Sequence, residues 1–127
     1  MQLEDQLVMW AEEIVRDARR GLKAHQDTGR TQASKAIDVA KMTDSLHVFR
    51  NWLRYQKARE EFWRVRDERG EDLALRLHKV IRRIEQISGG EETMKAVIRF
   101  LGYFRRALVA MDHLDQIPPA TEGGEEQ

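Results

Sequence analysis

Residues 71–104 read EDLALRLHKVIRRIEQISGGEETMKAVIRFLGYF, and this stretch decides the fold. Leu73, Leu77, Val80, Ile81, Ile84 and Ile87 recur with the helical period, forming one apolar stripe of an amphipathic helix. Glu71 and Asp72 stand at its start, where carboxylates meet the positive end of the helix dipole. Ser88-Gly89-Gly90 stops it, because glycine readily takes the left-handed conformation that closes a helix. Glu91 and Glu92 open a further helix. Its buried face is expected at Met94, Val97, Ile98, Leu101, Phe104, Leu108, Met111 and Leu114, and Pro118-Pro119 terminates it.

The same period extends upstream. Leu3, Leu7, Trp10, Ile14, Ala18 and Leu22 predict a helix from about Gln2 to about His25, with Asp27-Thr28-Gly29 as its stop signal. Thr31 reads as the N-cap of a short helix whose inner face is Ala33, Ala36, Ile37 and Ala40. Thr43-Asp44-Ser45 favours a break. Leu46, Phe49, Trp52 or Leu53, Phe62 and Trp63 then carry a helix to Arg69, where Gly70 ends it. Those aromatics read as core. No segment alternates with period two and carries hairpin turn residues. The expectation is an all-α fold: a compact bundle of four to five helices over residues 1–117, with an acidic, disordered tail over 118–127.

Composition narrows the function. The chain has 127 residues, 41% of them hydrophobic, enough to fill a core. It has no cysteine, which excludes disulfides, thiolate catalysis and iron–sulfur clusters. No signal peptide and no membrane-spanning run is visible, so the expected setting is cytoplasmic, with no membrane partner. His25, His47, His78 and His113 fall in no metal-binding pattern. Asp44 and His47 have a spacing used in di-metal bundles, but the further inward carboxylates such a site needs are missing. His113 near a helix end suits the dipole. No phosphate loop or nucleophile elbow occurs. A non-enzyme with no metal, cofactor or small-molecule substrate is expected.

The charges carry more information. Twenty-two Lys and Arg balance 22 Asp and Glu, so formal net charge is zero. The balance is uneven along the chain. Asp112, Asp115, Glu122, Glu125 and Glu126 follow residue 111 with no basic residue among them, leaving residues 1–111 at +5. Arginine outnumbers lysine 16 to 6, and its planar fork suits phosphate. Arg50, Arg54, Lys57 and Arg64 are spaced four, three and seven apart, as on one helix face. Arg76, Lys79 and Arg83 repeat the pattern on the next helix, with Arg82 beside them. Arg99 and Arg106 are seven apart on the last. These faces read either as a solvated surface of mixed charge or as a groove that follows a phosphate backbone without reading bases.

Two stretches resemble a known family. Tyr55-Gln56-Lys57-Ala58-Arg59-Glu60, preceded by Leu53, is similar to the Tyr-x-x-(Gly/Ala)-Arg-Glu signature of the small helical subunit of type III-A CRISPR–Cas effector (Csm) complexes. Ile98 to Phe104 followed by Ala107-Leu108-Val109-Ala110 resembles that family's closing motif. Arg106 stands where the family usually has Glu, and Met111 where it has Tyr. The resemblance spans residues 45–114 and extends to related CRISPR small subunits. It implies a non-catalytic bundle that stacks in several copies beside other effector-complex subunits. Such a bundle contacts the guide RNA–target RNA backbone through basic residues. The expected contacts are Arg50, Arg54, Lys57, Arg59, Arg64, Arg76, Lys79, Arg83 and Arg99. The competing reading is a protein–protein adaptor that presents Trp52, Phe62 and Trp63 to a partner.

Overall fold

The computed structural model describes residues 1–117. Pro118-Pro119 and the acidic tail lie outside the described residues. The helices are α1 (Leu3–Asp17), α2 (Arg19–Leu22), α3 (Gln26–Met42), α4 (Leu46–Arg59), α5 (Leu73–Ile87) and α6 (Glu91–Val109). Short 3-10 turns occupy Lys23–His25, Glu61–Arg64 and Met111–His113. Five of the six helices exceed ten residues, and α2 is a single turn. The described residues form an all-α bundle with no strand, and their nearest approach to one is a lone antiparallel bridge between Arg66 and Asp72.

Helix α6 is the central element. It packs chiefly between α1 and α3, and α5 closes the bundle beside it. Met94, Val97, Leu101, Phe104, Leu108, Met111 and Leu114 are all buried, whereas Ile98, expected on the same face, is only partly so. The helix itself ends at Val109 rather than at Pro118-Pro119, and Met111 and Leu114 follow it. So are Leu73, Leu77, Val80, Ile81 and Ile84 of α5, whereas Ile87 at its end is exposed. Asp72 caps α5 by accepting a hydrogen bond from the Leu75 N–H at 2.8 Å. Ser45 caps α4 in the same way through the Val48 N–H, so the break at Thr43–Ser45 occurs where capping residues cluster. Gly90 has φ 55° and sits at the N-cap of α6.

Three further expected boundaries are corrected. The first helix does not run to His25: it ends at Asp17, and the chain bends at Ala18. A loop packs into that bend. The Glu68 N–H donates to the Asp17 carbonyl, and Val65 sits 2.8 Å from where a Cβ on Gly21 would lie.

Asp27-Thr28-Gly29 is no stop, and Thr31 is no cap, because α3 begins at Gln26 and passes through both. Gly29 serves packing, not a turn: an added Cβ would lie 2.8 Å from the Phe62 ring, which is itself fully buried. Gly29→Ala is therefore expected to lower stability by roughly 1–2 kcal/mol, although alanine favours a helix by about 1 kcal/mol. A urea unfolding curve measures this directly.

The third correction concerns residues 60–70. Helix α4 stops at Arg59, and Glu60 is extended. The turn at Glu61–Arg64 lets adjacent Phe62 and Trp63 both enter the core against Phe104. The Trp63 indole N–H donates to Gln32 Oε1 at 2.8 Å, both buried. Gly70 lies within a loop rather than at a helix end, with φ 88° in a turn closed by its N–H on the Asp67 carbonyl.

Candidate nucleic-acid interface

Helix α5 carries the charged face between two grooves. One groove lies against α4 and is lined by Arg50, Leu53, Arg54, Lys57, Leu75 and His78. The other lies against α1, with Trp10 on its wall and Arg76, Lys79, Arg82 and Arg83 contributed by α5. The sequence period places these basic residues on the outer side of α5 because its inner side is occupied by leucine, valine and isoleucine.

The environments of the nine expected contacts differ. Arg50 pairs with Glu85 at 2.7 Å, and its side chain is only 14% exposed. Lys57 pairs with Asp72 at 2.7 Å, Lys79 with Glu71, and Arg99 with Glu4 at 2.9 Å. Arg59 donates to the Tyr55 hydroxyl at 2.9 Å and lies 5.4 Å from that ring's centroid. Arg83 lies 5.7 Å from the Trp10 centroid. Arg54 is exposed, and among the described residues it pairs with no carboxylate.

One expectation is corrected by this geometry, and one expected contact is already engaged within the fold. Arg64 does not share the α4 face with Arg50, Arg54 and Lys57. It lies beyond the helix end, and its guanidinium donates back to the carbonyls of Lys57 and Ala58 at 2.6 and 3.2 Å, closing the terminus of α4. Arg76 is engaged within the fold. It bridges Asp67, whose side chain is 1% exposed, and Asp17 at the end of α1.

Arg82 is the residue that the face adds. It is exposed, pairs with no carboxylate among the described residues, and stands at the α1–α5 groove. Its charge also reaches across to the α4 side. Burial first, then the positive charges of Arg50, Arg82 and Arg54, push the His78 imidazole below its ordinary range, with Glu85 opposing them. The α4–α5 groove is lined by Arg50, Arg54 and Lys57, and of these only Arg54 has no carboxylate partner among the described residues. The helical register of Arg82 was visible beside Arg83, but its freedom from a partner depends on contacts distant in sequence.

The aromatic residues of the adaptor reading are mostly interior. Phe62 and Trp63 are fully buried and Trp52 is half-buried, while Tyr55 is exposed. The resemblance motifs are distributed likewise. Tyr55 to Glu60 form the last turn and end of α4. Phe104, Ala107 and Leu108 of the closing motif lie in the core, and Arg106 is exposed beside the Tyr103 ring. His113 bonds Gln116, and Asp115 pairs with Arg16 and Arg19. No helix among the described residues is long and apolar enough to cross a membrane. No family model, curated protein or solved structure matches the chain.

Proposed function

We propose that the chain is a non-catalytic helical subunit that holds a nucleic-acid backbone across α5. Its setting is a cytoplasmic ribonucleoprotein effector of the kind whose small CRISPR subunits it resembles. The observation that supports this most is the set of exposed guanidiniums in the two grooves beside α5, Arg54, Arg82 and Arg83, none of which pairs with a carboxylate among the described residues. Phosphates are attracted to such a face through charge and shape, and base identity plays no part. Ion pairs such as Arg50–Glu85 and Lys57–Asp72 hold neighbouring cations in place, while Arg54 and Arg82 supply the contacts that a phosphate completes.

The intrinsic affinity of one copy is low, because a few phosphate contacts give weak and strongly salt-dependent binding. Several copies stacked along one strand of the guide RNA–target RNA assembly, beside other effector subunits, supply the rest through avidity. The test uses the full chain and a fluorescent single-stranded RNA of about 12 nucleotides at low salt. Arg54→Ala combined with Arg82→Ala is expected to weaken binding roughly tenfold. The melting temperature should hardly change, since neither side chain pairs with a carboxylate among the described residues. Unchanged binding would remove these residues from the interface.

A further inference from the structure

We infer that Trp10 and Arg83 form a nucleobase-stacking platform in the α1–α5 groove, which makes the chain selective for single-stranded over duplex nucleic acid. This rests on the reading of α5 as a backbone-binding helix and extends it to the ligand's bases. Trp10 is half-buried on α1, lines the groove, and has the Arg83 guanidinium 5.7 Å from its ring centroid. Ile14 and Val80 supply apolar surface beside it.

The charges of the groove identify the occupant. Five cations line it against two carboxylates, Glu13 and Glu71. Glu71 is engaged by Lys79, and Arg76 by Asp67 and Asp17. Arg69, Arg82 and Arg83 are exposed and pair with no carboxylate among the described residues. A purely apolar partner would cover these guanidiniums and leave them unsatisfied. A nucleotide matches both halves of the groove: its flat base packs on the Arg83 guanidinium that lies over the indole, and its phosphate meets the exposed Arg69 and Arg82. Helix α5 lines both this groove and the one beside α4, so one strand can continue from the α4 side across α5 to Trp10. A base stacked on a protein side chain has left its own helical stack, which duplex geometry forbids.

The experiment follows tryptophan fluorescence while the full chain is titrated with oligouridylate of about 12 nucleotides. Trp63 is fully buried and bonded to Gln32, so it is a poor reporter of a surface ligand. Saturable quenching is expected, and Trp10→Phe, which keeps an aromatic ring, should abolish most of it. Trp10→Leu should weaken binding about tenfold while leaving the salt slope unchanged, because the phosphate contacts remain. An RNA duplex of equal length should bind several-fold more weakly than the single strand. Binding seen by anisotropy without Trp10-dependent quenching would overturn the inference and leave the backbone proposal standing. Duplex binding as tight as single-strand binding would do the same. Failure to bind any RNA at low salt would overturn both.

Discussion

Arg76→Ala is expected to lower the unfolding free energy by roughly 3–5 kcal/mol, because it strands a buried carboxylate. Asp67 has almost no exposed side-chain surface, and Arg76 is the cation that meets it. Its Oδ1 also accepts hydrogen bonds from the backbone N–H groups of Arg69 and Glu71 at 2.9 and 3.0 Å. Arg76 additionally reaches Asp17 at 3.1 Å. One guanidinium therefore ties α5 to the end of α1 and to the loop between Trp63 and Leu73. Losing it releases three segments at once.

The same clamp sets a pH dependence. Burial pushes the Asp67 carboxyl up, but the bonds from Arg76 and from the N–H groups of Glu71 and Arg69 outweigh it and hold the group below its ordinary value. A carboxylate with a lowered folded-state pKa binds fewer protons folded than unfolded in this range. Its contribution is complete above the ordinary carboxylate range and is lost as pH falls through the lower folded-state value. Asp67→Asn should give a shallower loss of stability in acid, measured as urea midpoints from neutral pH downward. An acid limb as steep as that of the parent would contradict the assignment.

Trp63→Ala should cost about 3–5 kcal/mol, the range for removing a large buried aromatic. Trp63 is fully buried beside Phe62, Trp52 and Phe104. Its loss leaves a cavity and also strands the buried Gln32 side chain, whose carbonyl accepts the indole N–H. Gln32→Met separates the two effects. It keeps the volume but removes the acceptor, and should cost about 1–3 kcal/mol. Equal costs for the two variants would show that the hydrogen bond, not the volume, dominates this site. Differential scanning calorimetry on both variants measures the split.

The helices at residues 73–87 and 91–109 were legible because two local signals agree there. The apolar stripe gives the period, and Asp72 and the Gly89-Gly90 pair mark the ends. The errors lie where a long-range contact outweighs a local signal. Gly29 resembles a stop in sequence, yet it is inside α3 because Phe62, distant along the chain, occupies its missing side chain. Residues 60–70 resemble a helix, yet they form a turn and a loop because Phe62 and Trp63 both go inward and Asp67 meets Arg76.

The candidate site shows the same division. Helical spacing put Arg50, Arg54 and Lys57 on one face of α4, and Lys79 and Arg83 on α5. Spacing carries no information about which cation already has a partner. Glu85 lies 35 residues from Arg50, and Glu4 lies 95 from Arg99. Such contacts leave Arg54 and Arg82 without a carboxylate partner among the described residues, while Arg76 is held by Asp67 and Asp17 and Arg64 by the carbonyls that end α4. Net charge along the chain locates a basic body, whereas the choice among its residues depends on tertiary contacts.

The central claim is that phosphates bind across α4 and α5 through Arg54 of α4 and Arg82 of α5. The most direct measurement is the affinity of the full chain for single-stranded RNA across a salt series, compared with the Arg54→Ala/Arg82→Ala variant. Each phosphate contact on a single strand contributes about −0.7 to the slope of log affinity against log salt. The account predicts a steep negative slope for the parent, made shallower by about 1–1.5 in the variant. Equal slopes in the two proteins, or RNA binding by the parent that does not respond to salt, would contradict it.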